Sequence, residues 1–308
     1  MRIAILGAGG VGGYYGGILA RAGHEVALLA RGPHLAAVRE RGLEIRTPEG
    51  TFTVEVEAAS EPKGLGQVDL AVVAVKNYSL PGVTPAARLL AKSGAMILPL
   101  LNGVEAADRL IASGVPGDLV LGGLTEISAF RAGPGIIERR SSFHKVVVGE
   151  LAGGPSERTE RIAATFREAG ADSRVSTDIT ADLWRKLAFI ASTAAACGLS
   201  RTSIGPIRSS ALGRLLIERA VHEAVTVARM HGVRLIGDVE LKIMGFVDSL
   251  APELKPSFLL DYEAGGPTEI DDLSGAISRL GRQAGVETPV HDVATAVLGL
   301  PRPAHPAP

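Results

Sequence analysis

Cysteine and asparagine are scarce in this 308-residue chain, which has one cysteine, Cys197, and two asparagines, Asn77 and Asn102. A single cysteine excludes an internal disulfide and a cysteine-based metal cluster, and it suits a reducing cytosol. The net charge of −1 at pH 7 gives no reason to expect nucleic acid or an anionic membrane as a partner. No stretch reaches the roughly 18 apolar residues of a membrane span. The sequence therefore predicts a cytoplasmic globular protein, long enough for two domains.

Two further classes of segment and site are not expected. The seven histidines are scattered, and they do not form a cluster with cysteines or carboxylates at metal-ligand spacing, so we expect no metal site. The apolar N terminus is interrupted by glycines and is followed by a second strand pattern, which argues against a signal peptide.

Glycine is concentrated close to the N terminus. A short, mainly apolar run from Arg2 to Leu6 predicts a strand, and Gly7-Ala8-Gly9-Gly10-Val11-Gly12 follows it at once. This G-x-G-x-x-G pattern between a strand and a helix is typical of a dinucleotide site. Gly7 would allow a tight turn, Gly9 would let the backbone approach a pyrophosphate, and Gly12 would let the helix pack closely on the sheet. The alternative is an ordinary glycine-rich turn.

The end of the second predicted strand indicates which dinucleotide binds. Enzymes that prefer NAD usually have an Asp or Glu there, which binds the ribose 2′-hydroxyl. This chain instead has Ala30-Arg31-Gly32 after the strand from His24. A guanidinium can pair with a 2′-phosphate, so the sequence favours NADP(H), unless Arg31 is only a solvated surface residue.

Strand and helix patterns alternate through the first half of the chain and predict a doubly wound α/β domain over residues 1–176. A hairpin is expected around Pro48-Glu49-Gly50. From Thr177 onward long helical patterns replace the strands, which predicts an all-helical domain over residues 177–308 that ends in a loose proline-rich tail from Pro301. Less regular patterns predict strands at residues 119–124, 135–138 and 145–149 and one helix at residues 268–284.

Two polar residues follow predicted parallel strands, at the edge where open α/β sheets bind ligands. Lys76 comes directly after Val75, and Asn102 directly after Leu101. Either one alone is as readily explained as a strand-end loop residue, and Asn102 as a turn residue before glycine. Their position on neighbouring strands beside a dinucleotide motif favours a functional role.

The helical half offers two more candidates. Lys186 lies in a largely apolar helix, where a lysine can exchange a proton near neutral pH, although such side chains often extend to solvent instead. Glu269 lies at a predicted helix start behind Thr268, where it would equally serve as a capping residue.

Taken in order, these segments resemble the ketopantoate reductase family, the NADP-dependent 2-dehydropantoate 2-reductases. The similarity extends over nearly the whole chain. It rests on the glycine motif, Arg31, Val75-Lys76, Leu101-Asn102-Gly103, Leu183-Trp184-x-Lys186-Leu187, Ser257 with Asp261, and Thr268-Glu269-Ile270-Asp271.

The resemblance implies a Rossmann domain and a helical domain that close over the ligands. It implies that Lys186 donates a proton to the ketone oxygen and that Asn102 lies close to the nicotinamide and the substrate. Ser257 would touch the substrate, and Glu269 would order the site near cofactor and substrate. The cofactor set implied by motif and resemblance is Gly7, Ala8, Gly9, Gly10, Val11, Gly12, Arg31, Lys76, Asn102, Ala129 and Glu269.

The sequence departs from the family pattern at positions that recognise the substrate. Ile190, Ala194 and Leu254 replace asparagines, and Gly266-Pro267 replaces an arginine before the Thr-Glu pair. Each lost hydrogen bond to a buried polar group can cost about 1–3 kcal/mol. The substitutions leave open whether specificity has changed, whether Ser192 or Thr193 takes over, or whether asparagine was lost through general composition.

The sequence thus predicts an NADPH-dependent reductase of a 2-oxo acid, with ketopantoate the expected substrate in pantothenate and coenzyme A biosynthesis. The alternatives are a reductase of a more apolar 2-oxo acid, an imine-forming relative, a non-catalytic NADP-binding sensor, and an interaction module. A homodimer is expected if the helix from Ala211 to Met230 packs on a second copy, although its apolar face equally suits the core of its own domain.

Overall fold

The computed structural model describes residues 1–301, and the end of the proline-rich tail, residues 302–308, lies outside the described part. The chain forms two compact units. Unit 1 comprises residues 1–101 and 105–179, and unit 2 comprises residues 102–104 and those from 180 onward. The division after Ile179 lies three residues beyond the predicted boundary. The segment Asn102–Val104 contacts unit 2 although it lies within the first half of the sequence.

Unit 1 contains ten strands in two sheets. They are β1 (Arg2–Leu6), β2 (Glu25–Leu29), β3 (Leu43–Thr47), β4 (Gly50–Val54), β5 (Glu57–Ala59), β6 (Leu70–Val73), β7 (Met96–Pro99), β8 (Gly122–Gly133), β9 (Ile136–Gly149) and β10 (Asp172–Val175).

The first sheet has the order β5-β2-β1-β6-β7, and all of its strands are parallel. It is covered on both faces, as the continuous apolar runs predict. On β1, Ile3 and Ile5 belong to one buried cluster and Ala4 and Leu6 to another on the opposite face. The doubly wound architecture expected from the sequence is therefore confirmed.

The helices of unit 1 follow strands β1, β2, β6, β7 and β9 along the chain. They are α1 (Gly10–Arg21), α2 (Gly32–Arg41), α3 (Leu80–Lys92), α4 (Ala106–Ala112) and α5 (Glu157–Glu168).

The second sheet has the order β10-β9-β3-β4, with β8 paired to β9. The predicted hairpin around Pro48 is confirmed as the antiparallel pair β3–β4. The separate strand assignments at 135–138 and 145–149 were wrong in extent, because β9 runs unbroken from Ile136 and forms a long antiparallel hairpin with β8. Polar residues dominate the middle of β9 and break its apolar pattern, and its pairing with β8 shifts register between Ile127 and Ala129.

Unit 2 is helical, as the sequence predicts. Its helices are α6 (Ile179–Ser200, whose first residue belongs to unit 1), α7 (Ile204–Ser209), α8 (Ala211–Met230), α9 (Val239–Ser249), α10 (Ser257–Glu263), α11 (Ser274–Ala284) and α12 (Pro289–Leu298).

The core of unit 2 forms around α6, where Leu187, Ala191 and Ala195 are fully buried. The apolar face of α8, which includes Ile217 and Val221, is buried in the same core. The single helix predicted over residues 268–284 was wrong, because a 3₁₀ turn at Ile270–Asp272 precedes α11. Within residues 1–301, no helix has the length and apolar character needed to cross a bilayer.

Candidate active site

The glycine-rich loop between β1 and α1 has the backbone geometry that its sequence predicts. Gly7 has a φ of +110°, which is strained for residues with a side chain. A Cβ placed on Gly12 would collide with the Gly7 carbonyl oxygen, so only glycine lets α1 come this close to the loop. Gly9 is the N-cap of α1, and a Cβ placed there would meet no described atom within 4 Å. The loop is therefore tight on the helix side and open at Gly9.

The β8–β9 hairpin supports this loop from the other side. A Cβ on Gly10 would collide with the backbone carbonyl of Ala129 on β8. Ala129 thus contacts the glycine loop through its main chain, which is consistent with its predicted position beside the cofactor.

The open side of the loop faces a cavity of about 510 Å³, a volume within the usual range for small-molecule sites. Predicted cofactor residues Gly7, Ala8, Gly9 and Arg31 all line it. The complete lining is Gly7, Ala8, Gly9, Leu29, Ala30, Arg31, His34, Val75, Tyr78, Ser79, Gly82, Val83 and Arg131. Backbone from the ends of β1 and β2 and from the segment after β6 therefore converges here, as at the ligand edge of other open α/β sheets.

Arg31 is the N-cap of α2, and no side chain of the described residues caps this helix start. Its exposed guanidinium and the first turn of α2 both favour an anion at this end of the cavity. Lys76 is placed one residue after the lining residue Val75, as N-cap of the 3₁₀ turn Asn77–Ser79. Lys76 is not itself among the residues that line the cavity.

A row of three polar side chains lies in unit 2. The Nζ atom of Lys186 on α6 donates a hydrogen bond of 3.0 Å to Oδ1 of Asn102. Nδ2 of Asn102 in turn donates to Oε2 of Glu269 over 3.3 Å. The carboxylate can only accept from the amide, so it fixes which end of Asn102 faces the lysine. The structure thus brings together three predicted residues that lie 84 and 167 positions apart along the chain.

The three residues of this row differ in burial. Glu269 is 5% exposed, and Lys186 and Asn102 are half-buried. The Asn102 amide therefore supplies a hydrogen-bond donor of the kind that a buried carboxylate such as Glu269 needs. The resemblance implies that Asn102 and Glu269 belong to the cofactor set, and the structure joins Asn102 to Lys186 and Glu269 to Asn102.

The positions that depart from the family pattern have different environments. Ile190 is half-buried one helical turn after Lys186, on the same side of α6. Ala194 is 1% exposed in the core of unit 2. Ser257 is exposed at the first residue of α10, and no hydrogen bond within the described chain joins it to Lys186 or Asn102. Of these, Ile190 is the one placed to change the surroundings of the lysine.

Two residues that line the cavity were missed by sequence analysis. Arg131 lies near the tip of the β8–β9 hairpin and His34 lies in the first turn of α2. Burial lowers the pKa of His34, and the positive charge of Arg131 lowers it further. The sequence around Arg131 does not indicate that the β8–β9 hairpin returns to the glycine-rich loop. Arg131 could therefore not have been found from its neighbours in the sequence.

Comparison with known proteins decides the family. The sequence model described as "Ketopantoate reductase PanE/ApbA" matches residues 3–153. The model for the C-terminal part of the same family matches residues 178–301. The chain belongs to the ketopantoate reductase family. It is therefore an oxidoreductase of a family that uses NAD(P), as expected from its glycine loop.

Individual members of the family cover the chain almost completely. An uncharacterized oxidoreductase of Bacillus subtilis, YkpB, is 32% identical over 300 residues, which cover 97% of this chain and 98% of the relative. A 2-dehydropantoate 2-reductase of Halobacterium salinarum is 32% identical over 294 residues, covering 94% and 95% of the two chains.

Solved structures give the same fold. A ketopantoate reductase from Ralstonia eutropha JMP134 superposes with a TM-score of 0.88 at 33% identity, covering 97% of each chain. D-mandelate dehydrogenase, in a ternary structure with NADH and anilino(oxo)acetate, gives a TM-score of 0.87 at 25% identity, again covering 97% of both chains. Enzymes named for different substrates thus share this fold. Among residues 1–301, no group of three His, Cys, Asp or Glu side chains is arranged to hold a metal ion.

Proposed function

We propose that this protein is a cytoplasmic reductase that uses NADPH to convert a 2-oxo acid into a 2-hydroxy acid. Ketopantoate (2-dehydropantoate) is the first candidate substrate, with pantoate as the product for pantothenate and coenzyme A synthesis. The observation that carries the proposal is the row Lys186–Asn102–Glu269, in which an ammonium group is fixed by a buried carboxylate through one amide. Reduction of a ketone to an alcohol adds a hydride to carbon and a proton to oxygen, and a fixed ammonium group can supply that proton.

The cavity of unit 1 fits a dinucleotide phosphate. Gly9 leaves open space where a side chain would block a pyrophosphate, and α1 begins there. Arg31 stands where NAD-preferring enzymes have a carboxylate, which supports NADPH. We therefore assign the glycine loop, Gly7 to Gly12, to the diphosphate and Arg31 to the 2′-phosphate, with Lys76 and Ala129 beside them.

The chemistry that NADPH would supply when bound is a hydride for the C2 carbonyl carbon of the substrate. As negative charge grows on the carbonyl oxygen, the Lys186 ammonium donates a proton from Nζ to that oxygen. The lysine then regains its proton from solvent. A positioned general acid accelerates such a step by typically about 10²–10⁴-fold.

Asn102 and Glu269 act on the orientation of that proton. Asn102 Oδ1 accepts one of the three Nζ protons and so directs the other two away from the amide. The buried Glu269 holds the amide in place. Ser257 is proposed as a substrate contact, on the strength of the resemblance alone.

A spectrophotometric assay with Lys186 variants tests this proposal. NADPH oxidation is followed with ketopantoate and several other 2-oxo acids for the unchanged protein, for Lys186→Ala and for Lys242→Ala. Lys242 is an exposed lysine on α9, so its removal leaves turnover unchanged, whereas Lys186→Ala lowers kcat by at least about 10²-fold. NADPH binding without oxidation of any 2-oxo acid would contradict the enzyme proposal and favour the sensor.

A second candidate substrate is a more apolar, aryl-substituted 2-oxo acid. Ile190 places a branched alkyl group one turn from Lys186, and Phe189 beside it packs edge-to-face on Phe246 at 4.9 Å between ring centroids. D-mandelate dehydrogenase, a structural neighbour, was solved with anilino(oxo)acetate, which carries an aromatic ring. If kcat/KM for phenylglyoxylate exceeds that for ketopantoate, and Ile190→Asn reverses the order, the second candidate replaces the first.

A homodimer remains a prediction. Exposed apolar residues at the start of α8, with Leu212 at 78% exposure, are consistent with a second copy packing there. Gel filtration with light scattering tests it.

A further inference from the structure

Arg131 reaches the nucleotide cavity from a part of the chain far from the glycine motif. It lies on β8 where the pairing with β9 becomes irregular between Arg131 and Gly133. Such an irregularity redirects side chains at the end of a hairpin. As a result Arg131 lines the same cavity as Arg31 and the glycine loop.

The cavity has positive charge without a compensating negative charge. Its lining contains the two guanidinium groups of Arg31 and Arg131 and no Asp or Glu. In residues 1–301, neither arginine forms an ion pair with a carboxylate. Two like charges around one cavity repel each other unless an anion lies between them. The uncapped start of α2 adds its partial positive charge at the same end.

His34 fixes the hairpin tip that carries Arg131. It is 4% exposed, and its Nδ1 accepts a hydrogen bond of 2.9 Å from the backbone N–H of Gly135. The ring is therefore neutral, with its proton on Nε2. Because this bond ties the turn after β8 to the first turn of α2, Arg131 and Arg31 are presented by two elements that are linked directly.

We propose that Arg131 is a second specificity-determining residue, which together with Arg31 binds the 2′-phosphate of NADPH. This inference rests on the proposed use of NADPH. A phosphate monoester carries a charge of about −1.5 to −2 at pH 7, which two guanidinium groups can match and one cannot. NADH has an uncharged 2′-hydroxyl at the same position of the ribose. The pair Arg31 and Arg131 would therefore distinguish NADPH from NADH.

Calorimetric titration with nucleotide fragments tests the assignment without turnover. The probes are 2′,5′-ADP, which has the 2′-phosphate, and 5′-AMP, which lacks it. Arg131→Ala is expected to weaken the binding of 2′,5′-ADP by about ten- to a hundredfold, which is the factor that a charge-assisted hydrogen bond contributes. The affinity of the Arg131→Ala variant for 5′-AMP stays within about twofold of the affinity of the unchanged protein. Arg131→Lys keeps the charge but not the paired donors, so it gives an intermediate loss.

Arg140→Ala is the matched control. Arg140 is an exposed arginine on the neighbouring strand β9, where it pairs with Glu138 and lies over the Phe130 ring, and it does not line the cavity. Removing it changes the net charge by the same amount and leaves both affinities as they were.

The outcomes separate this inference from the proposed function. If the unchanged protein prefers 2′,5′-ADP and Arg31→Ala removes that preference while Arg131→Ala does not, the role of Arg131 is refuted and NADPH use stands. Equal binding of the two probes by the unchanged protein overturns both. If Arg131→Ala loses affinity for both probes by the same factor, the effect is a general structural one, and the role of Arg131 is also refuted.

Discussion

The buried carboxylate of Glu223 on α8 accepts a hydrogen bond of 3.1 Å from the backbone N–H of His291 in the first turn of α12. The same carboxylate accepts from the N–H of Val290 at 2.9 Å. It therefore acts as a capping group supplied by another helix, and it satisfies two donors that an α-helix leaves open at its start. Burial raises the pKa of Glu223, and the two backbone donors oppose that shift.

Removing this carboxylate is expected to destabilise unit 2. Glu223→Ala leaves two N–H groups without their acceptor and should lower the free energy of unfolding by about 2 kcal/mol or more. Glu223→Gln keeps one acceptor oxygen and should cost less. Glu287→Ala removes an exposed carboxylate just before the same helix and should stay within about 0.5 kcal/mol. Urea denaturation measures all three, and equal losses for Glu223→Ala and Glu287→Ala would contradict the capping role.

The buried imidazole of His291 is expected to make the folded protein less stable in mild acid. It is 0% exposed, and burial lowers its pKa to about 4. The unfolded chain binds a proton at this histidine below about pH 6.5, whereas the folded chain does so only near pH 4. Because the pKa of His291 is lower in the folded chain, protonation favours the unfolded chain. The free energy of unfolding therefore keeps its full value above pH 6.5 and falls by up to about 1.4 kcal/mol per pH unit between pH 6.5 and 4.

The comparison that isolates this effect is the pH slope of His291→Gln. Glutamine cannot titrate, and other groups such as His34 and Glu223 contribute to both proteins and largely cancel. The free energy of unfolding of the variant should therefore fall less steeply over the same pH range. Parallel curves from urea denaturation at several pH values would refute the assignment.

Asn102→Ala is expected to slow turnover without unfolding the protein. It removes the acceptor that lies 3.0 Å from Lys186 Nζ and leaves Glu269 without the amide donor at 3.3 Å. Since a misplaced catalytic group costs on the order of 10²-fold, kcat should fall by about that factor. Asn77→Ala is not a suitable control, because Asn77 is buried. Thr51→Ala in the exposed strand β4 serves instead. An unchanged kcat in Asn102→Ala would remove the amide from the mechanism.

Two glycine variants separate folding from nucleotide binding. Gly9→Ala meets no described atom within 4 Å and has an N-cap φ of −80°, so the melting temperature should hardly change while NADPH affinity falls. Gly12→Ala drives a methyl group into the Gly7 carbonyl and should cost about 1–3 kcal/mol of stability. Thermal melts and NADPH fluorescence titrations distinguish the two, and a strong loss of stability in Gly9→Ala would contradict the open geometry.

Local patterns explain which parts of this fold were predictable. β1 and β6 are short apolar runs and α10 has clear boundaries, so each is specified by its own residues. The hairpin β8–β9 is held by cross-strand hydrogen bonds over polar residues, which leave no alternation to read. The 3₁₀ turn at Ile270–Asp272 ends at Leu273, whose ψ of −97° lies outside the helical region, and the helical pattern of the sequence gives no sign of this break.

The candidate site divides in the same way. The glycine loop and Arg31 carry a motif and could be found from sequence. Lys186, Asn102 and Glu269 are candidates from their positions in the sequence, and the resemblance implies their roles. The two hydrogen bonds that join them are seen only in the structure. Arg131 has no motif, since its role depends on where a distant hairpin ends.

Asn102 belongs by its contacts to unit 2, although residues on both sides of the segment 102–104 belong to unit 1. No single cut of the polypeptide can therefore separate the two units cleanly. If residues 1–179 and 180–308 were expressed as two polypeptides, the lysine and its amide acceptor would be on different molecules. Neither fragment would be expected to turn over substrate by itself, however well each one folded.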